Sequence, residues 1–105
     1  MKSDETILQE IKQAIHLLVP DAKISLFGSR ACGNYTEESD WDILILTQKK
    51  YSKEMRWKVQ DLLFPISVKI AAFIDINIVQ EEEWNTEPGY YSLRMDISKH
   101  EIIAL

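Results

Sequence analysis

The sequence predicts an α/β or α+β domain in which a small mixed β-sheet packs against helices. Three observations lead to this class. An apolar stripe at helical spacing begins near the N-terminus, and residues 43–46 are apolar at every position, as in a central strand covered on both faces. Turn signals divide the rest into short elements. With 105 residues, we expect one domain covering residues 1–105.

The first half of the chain predicts one helix and two strands. Residues 6–19 form a helix because apolar side chains recur on one side of it, and a proline stops it. Residues 24–27 form a strand that ends at Gly28, and residues 29–33 could add one or two helical turns. Residues 41–47 form the central strand.

The second half predicts a long helix, a third strand and a short helix. Residues 52–63 carry an inner apolar side, and Pro65 ends or kinks this helix. Residues 73–79 form the third strand. A last helix covers residues 90–99, and residues 101–105 could add an edge strand.

Composition and charge exclude several classes. Twelve Lys and Arg against seventeen Asp and Glu give a net charge of -5, which argues against nonspecific nucleic-acid binding. Cys32 is the only cysteine, so an internal disulfide and a cysteine zinc site are excluded. We expect a cytoplasmic location because the N-terminus lacks a signal-peptide pattern and no apolar run reaches about 18 residues.

Three aspartates lie at positions where a charged carboxylate is energetically unfavourable. Asp40 and Asp42 share one face at the start of the central strand, so like charges should raise a pKa unless a cation intervenes. Asp75 lies inside an apolar run, where it needs a partner. Three oxygen donors suit Mg²⁺, and two ions about 3.5–4 Å apart would serve phosphoryl transfer. Alternatively, the acids are structural and Asp75 pairs with Arg30.

A second candidate lies just upstream, where a strand runs into Gly28-Ser29-Arg30. A glycine lets the backbone approach a ligand closely, and amides at a helix start attract anions. The Ser29 hydroxyl and the Arg30 fork could hold phosphate oxygens. A simple turn is the alternative interpretation of these three residues.

Together, the segments LFGSRACG (26–33), ESDWDIL (38–44) and FIDINIV (73–79) resemble the signature of the polymerase β-like nucleotidyltransferase superfamily. With the short length, they resemble in particular the minimal nucleotidyltransferases (MNT), over nearly the whole chain. One departure is Cys32, which stands where the family often has a second arginine, so a positive charge near the phosphates is lost.

The resemblance implies the polymerase β-like nucleotidyltransferase fold and a catalytic role for the three acids. Asp40 and Asp42 would bind the Mg²⁺ ion that holds the nucleotide, and Asp75 would bind a second Mg²⁺ ion and help activate the acceptor. A hydroxyl would attack the α-phosphate of a nucleoside triphosphate, with ATP as the favoured donor, and pyrophosphate would leave. The phosphate-binding residues would be Gly28, Ser29 and Arg30.

The resemblance also implies a partner. Minimal nucleotidyltransferases commonly pair with a helical HEPN toxin, and this chain would act as the antitoxin by adenylylating a tyrosine of that toxin. A noncatalytic module that masks its partner and a small-molecule adenylyltransferase are the alternatives. Self-association stays open. No membrane or direct nucleic-acid partner is expected.

Overall fold

The computed structural model describes residues 4–33, 35–99 and 103–105, and its sheet is mixed, as predicted. The strand order is β3-β2-β1-β4. β1 pairs antiparallel with both β2 and β4, and β2 pairs parallel with β3. The four strands are β1 (Lys23–Phe27), β2 (Trp41–Thr47), β3 (Ile74–Gln80) and β4 (Ile103–Ala104).

Five α-helices and one 3₁₀ turn connect or flank these strands within the described residues. They are α1 (Asp4–Leu18), α2 (Ser29–Cys32), α3 (Lys53–Ile70), α4 (Glu81–Thr86), the 3₁₀ turn (Pro88–Tyr90) and α5 (Tyr91–Lys99). Every predicted element is present. Most boundaries agree within about two residues, which is the ordinary uncertainty of helix ends.

The main core lies between one face of the sheet and the helices α1 and α3. Apolar positions of α1 recur every four residues and are buried there, at Ile7, Ile11 and Ile15. α3 contributes Val59 and Leu63, both fully buried. The strands supply alternate residues to this face, as the pleat requires: Ile24, Leu26, Ile43, Ile45, Ile74 and Ile76.

A smaller apolar cluster packs on the opposite face of the sheet. Leu44 and Val79 pack with Trp84 of α4, and the ring of Tyr90 lies 5.9 Å from that indole. β2 is therefore covered on both faces, as its uninterrupted apolar run predicted. Trp41, which begins β2, is 2% exposed and packs in the core.

Of the two outcomes predicted for Pro65, an end or a kink, the end is wrong, because the helix continues to Ile70. A proline removes one helical N–H donor but does not prevent the next turn from packing. Ile66 and Ile70 contact the main core, and this burial favours continuation. The helix stops at Ala71, whose φ of 52° is left-handed.

α3 also protects the outer edge of the sheet. The side chain of Gln60 donates to the carbonyl of Ile74 at 3.2 Å, and Arg56 donates to that of Ile76 at 3.4 Å. These bonds occupy acceptors on the free side of β3, and this limits pairing with another strand. In the part of the chain described, no helix has the length and apolarity needed to cross a membrane.

Candidate active site

The parallel pairing of β2 and β3 places two of the predicted acids side by side. Asp42 and Asp75 are direct register partners, and neighbouring strands lie about 4.8 Å apart. Both side chains are half-buried, whereas Asp40, two residues before Asp42, is exposed. The sequence identified all three acids, but the strand order decides which two are neighbours.

Burial is the main reason why the protonation equilibrium of the Asp42 carboxyl differs from that of a free aspartate. It raises the pKa of the Asp42 carboxyl above its ordinary value, and the charges of Asp75 and then Asp40 raise it further. This agrees in direction with the like-charge repulsion expected from the sequence. Desolvation, however, outweighs that repulsion.

The acids have no compensating cation among the described residues. Within residues 4–33, 35–99 and 103–105, no ion pair joins Arg30 to Asp75, so the structural alternative does not appear there. A negative charge on Asp42 is thus unfavourable, and a bound cation would stabilise it.

The turn after β1 passes directly against Asp42. Antiparallel register pairs Phe27 with Asp42, so the next residue, Gly28, meets the carboxylate. A Cβ on Gly28 would lie 2.3 Å from Asp42 Oδ2 and 3.1 Å from its Cγ. Gly28 also has φ 75° and ψ -158°, a region that only glycine adopts readily. The structure therefore requires glycine at this position.

The described structure brings Gly28 and Ser29 next to the acids, as the sequence led us to expect. Ser29 begins the four-residue helix α2, which ends at Gly33 with φ 79°. The amide of Gly33 donates to the Ser29 carbonyl and closes the turn. Phosphate binding by Gly28 and Ser29 stays a prediction.

Arg30 donates hydrogen bonds to main-chain carbonyls of the following loop, and its role in phosphate binding stays a prediction. Its Nε donates to the carbonyl of Ser39 at 2.9 Å, and Nη2 donates to those of Thr36 at 3.4 Å and Glu37 at 3.2 Å. The guanidinium is thus held by the loop that precedes Asp40. Sequence reasoning assigned no role to this loop, because three main-chain acceptors leave no residue-type signal.

The donor set fits Mg²⁺ better than zinc. The carboxylates supply only oxygen, which Mg²⁺ prefers, whereas zinc sites commonly use nitrogen or sulfur. In the described parts of the chain, no three His, Cys, Asp or Glu side chains converge as a metal cage. Mg²⁺ does not need one, since it is usually held by one or two carboxylates together with water and substrate phosphates. Asp42 and Asp75 could supply that pair.

A separate cleft lies toward the other end of the same strands. It encloses about 230 Å³ and is lined partly by Lys50, Arg56, Val79 and Tyr90. Val79 is four residues beyond Asp75, or roughly 13 Å along the strand. The acids do not line this cleft, so a reactant at the acids would approach over the open end of the sheet.

Comparison with known families and a curated protein gives a consistent result. The family described as nucleotidyltransferase domain matches residues 7–100. A Methanocaldococcus jannaschii protein named as a protein adenylyltransferase is 35% identical over 65 residues, which are 60% of this chain and 66% of that protein. The chain therefore spans less than two thirds of this curated relative.

Solved structures agree on the fold. A structure assigned as a minimal nucleotidyltransferase has TM-score 0.55 and 19% identity, covering 96% of this chain and 92% of that one. Spectinomycin adenyltransferase AAD(9) from Enterococcus faecialis, solved with ATP and spectinomycin, has TM-score 0.68 and 15% identity; the coverage is 98% and 48%. A complex of a tri-AMPylated Shewanella oneidensis HEPN toxin with its MNT antitoxin has TM-score 0.50 and 18% identity, covering 76% and 57%.

Proposed function

This chain belongs to the nucleotidyltransferase domain family, and we propose that it transfers AMP from ATP to a hydroxyl of a partner protein. The observation that carries the proposal is the juxtaposition of Asp42, Asp75 and Gly28. Two carboxylates in direct register abut a turn that admits only glycine. A metal-bound triphosphate needs both features, negative donors and a close backbone approach.

The chemical step follows from these positions. The acceptor oxygen attacks the α-phosphorus, the bond from that phosphorus to the bridging oxygen breaks, and pyrophosphate leaves with the bonding electrons. Asp75 accepts the proton of the acceptor hydroxyl, directly or through water. Asp40 and Asp42 would hold the Mg²⁺ ion that binds the triphosphate, while Gly28 and Ser29 would contact its β- and γ-phosphates. Mg²⁺, when bound, neutralises developing charge on the phosphate oxygens.

The openness of the site favours a macromolecular acceptor. Asp40 is exposed, and Asp42 and Asp75 are only half-buried. A small acceptor such as an aminoglycoside would need walls to orient it, whereas a second protein brings its own surface. The curated relative is named a protein adenylyltransferase, which supports the same choice. A small-molecule acceptor stays the alternative.

An exposed apolar stripe on α3 supports a protein partner. Trp57, Phe64 and Val68 are 67%, 65% and 63% exposed, and their spacing places them on one side of the helix. Large apolar side chains aligned on a surface are typical of interaction sites. We infer that this stripe binds a HEPN-type helical protein and that a tyrosine of that protein is the acceptor. The chain would then be an antitoxin.

The proposal is tested with α-labelled ATP, Mg²⁺ and the product of the adjacent gene. The parent should place label on that protein, and a Tyr→Phe change at the labelled site should remove it. Asp42→Asn should abolish the transfer. Glu82→Gln, which changes an exposed acid on α4 at the face of the sheet opposite α3, is the matched control and should retain activity.

The other outcomes separate the alternatives. Partner neutralisation that survives Asp42→Asn would identify a masking module. ATP binding without label on any protein would favour a small-molecule acceptor. If the parent binds no ATP with or without Mg²⁺, the proposed enzyme is refuted.

A further inference from the structure

We propose that Arg30 is a positioning residue that closes the loop of residues 35–39 and thereby sets Asp40 and Asp42 against the metal–nucleotide. This inference rests on the proposed function, because that function requires the acids to bind Mg²⁺ and ATP. It replaces the direct phosphate contact that the sequence suggested for Arg30.

Arg30 makes three of the hydrogen bonds that hold the loop in the described structure. The Arg30 guanidinium donates to the carbonyls of Thr36, Glu37 and Ser39, at 3.4, 3.2 and 2.9 Å. The shortest bond is to the residue immediately before Asp40. A planar fork with five N–H groups suits several acceptors at once. These bonds therefore hold the loop at Ser39, the residue that precedes the first acid, Asp40.

Stacking fixes the guanidinium to a rigid part of the fold. Its carbon lies 4.2 Å from the ring centre of Trp41 and 4.9 Å from that of Tyr35. Trp41 is buried in the core and separates the two acids in sequence. Tyr35 in turn donates to Asp4 of α1 at 2.7 Å. Cation–π contacts and hydrogen bonds thus connect the loop to both the sheet and α1.

A lysine substitution at position 30 distinguishes a role of Arg30 in holding the loop from a role in phosphate binding. A lysine at position 30 would keep the positive charge and could still attract a phosphate. It would not stack as a plane, nor reach three carbonyls with one rigid fork. Arg30→Lys should therefore fail in the same way as the neutral Arg30→Met if closure is the role of this side chain.

The test combines hydrogen exchange with a magnesium titration. Amides of residues 35–40 should exchange about tenfold faster in both Arg30 variants, as expected when bonds to a charged donor are lost. The Mg²⁺ concentration for half-maximal AMP transfer should rise about tenfold. Binding of ATP in EDTA should stay within about twofold, since direct phosphate contacts are unchanged.

Arg56→Lys is the matched control. Arg56 also donates to a main-chain carbonyl, that of Ile76 at 3.4 Å, but on the outer edge of β3. This variant should leave the exchange of the 35–40 loop unchanged. Because Arg30→Met could fail to fold, Arg30→Lys provides the second, milder measurement of the same contact.

Two results would overturn the inference: unchanged exchange in the loop of the Arg30 variants, or full restoration of protection and Mg²⁺ response by lysine. A loss of ATP binding in EDTA would return Arg30 to a phosphate-binding role. If the parent itself does not bind ATP, the proposed function fails at that earlier step. The exchange of residues 35–40 then decides separately whether Arg30 closes the loop.

Discussion

Replacing Gly28 by alanine tests whether the turn after β1 and the Asp42 carboxylate are sterically coupled. Two separate penalties apply. Alanine must adopt φ 75° and ψ -158°, which costs about 1–3 kcal/mol. Its Cβ must also displace Asp42 Oδ2, which lies 2.3 Å from the ideal Cβ position, and overpacking costs about 1–3 kcal/mol.

The two penalties together predict that Gly28→Ala lowers the free energy of unfolding by about 2–6 kcal/mol. For a chain near 100 residues, each kcal/mol moves the melting temperature by about 4–8 °C. The assay is thermal and urea unfolding followed by circular dichroism at pH 7 in EDTA. Metal and nucleotide are excluded, so that only the apo fold is measured.

A double-mutant cycle with Asp42→Ala separates the penalties. Removing the carboxylate leaves the backbone penalty but relieves the clash, so Gly28→Ala should cost at least about 1 kcal/mol less in that background. Gly33→Ala is the control, because Gly33 has φ 79° but, among the described residues that are not its neighbours in the chain, none comes within 4 Å of the point that an added Cβ would occupy. It should cost about 1–2 kcal/mol in either background. Equal losses for Gly28→Ala with and without Asp42 would refute the steric argument.

Three further changes probe the acids, α3 and the nucleotide site. Because the pKa of Asp42 is raised in the fold, its ionised form destabilises the apo protein, and Asp42→Asn should melt no lower than the parent at pH 7. The difference in stability between the two proteins should shrink as the pH falls toward the ordinary pKa of an aspartate. A lower melting temperature at pH 7 would mean that the carboxylate is structural. Pro65→Ala should stabilise α3 by about 1–2 kcal/mol in urea unfolding, since it restores one helical donor at an exposed position; a loss would show that the proline ring itself packs. ATP with Mg²⁺ at 100 times its Kd should stabilise the protein by about 2.7 kcal/mol, so the melting temperature should rise more with Mg²⁺ than with EDTA. Asp42→Asn should remove the Mg²⁺-dependent part of this rise; an equal rise in EDTA would argue against a metal role for this acid.

Periodicity was sufficient to predict the elements but not their spatial neighbours. The apolar run in β2 implied a central strand, and the structure confirms it. The parallel pairing of Asp42 with Asp75 depends on α3 crossing between β2 and β3, which no local pattern specifies. The sequence therefore singled out the three acids as candidates. It did not establish that Asp42 and Asp75, which lie on different strands, are direct register partners.

Two residues show what local signals leave undetermined: the end of α3 at Pro65 and the hydrogen-bond partners of Arg30. Pro65 is a local breaker, but the burial of Ile66 and Ile70 against the core favours a longer helix. Arg30 has a fork that suits phosphate, carboxylate and carbonyl oxygens alike. Only the shape of the 35–39 loop decides that three carbonyls are within its reach. Tertiary packing overrode the local signal in the first case, and irregular backbone was decisive in the second.

The contact between Gly28 and Asp42 explains why the glycine turn and the acidic strand form one unit. Antiparallel register makes Asp42 the partner of Phe27, so the first residue after β1 must pass beside that carboxylate. A side chain there would have to displace the Asp42 carboxylate, whose register partner on β3 is Asp75. The glycine proposed to let a phosphate approach the backbone therefore also leaves room for this carboxylate. Sheet pairing, rather than the length of the intervening loop, couples the candidate phosphate turn to the candidate metal site.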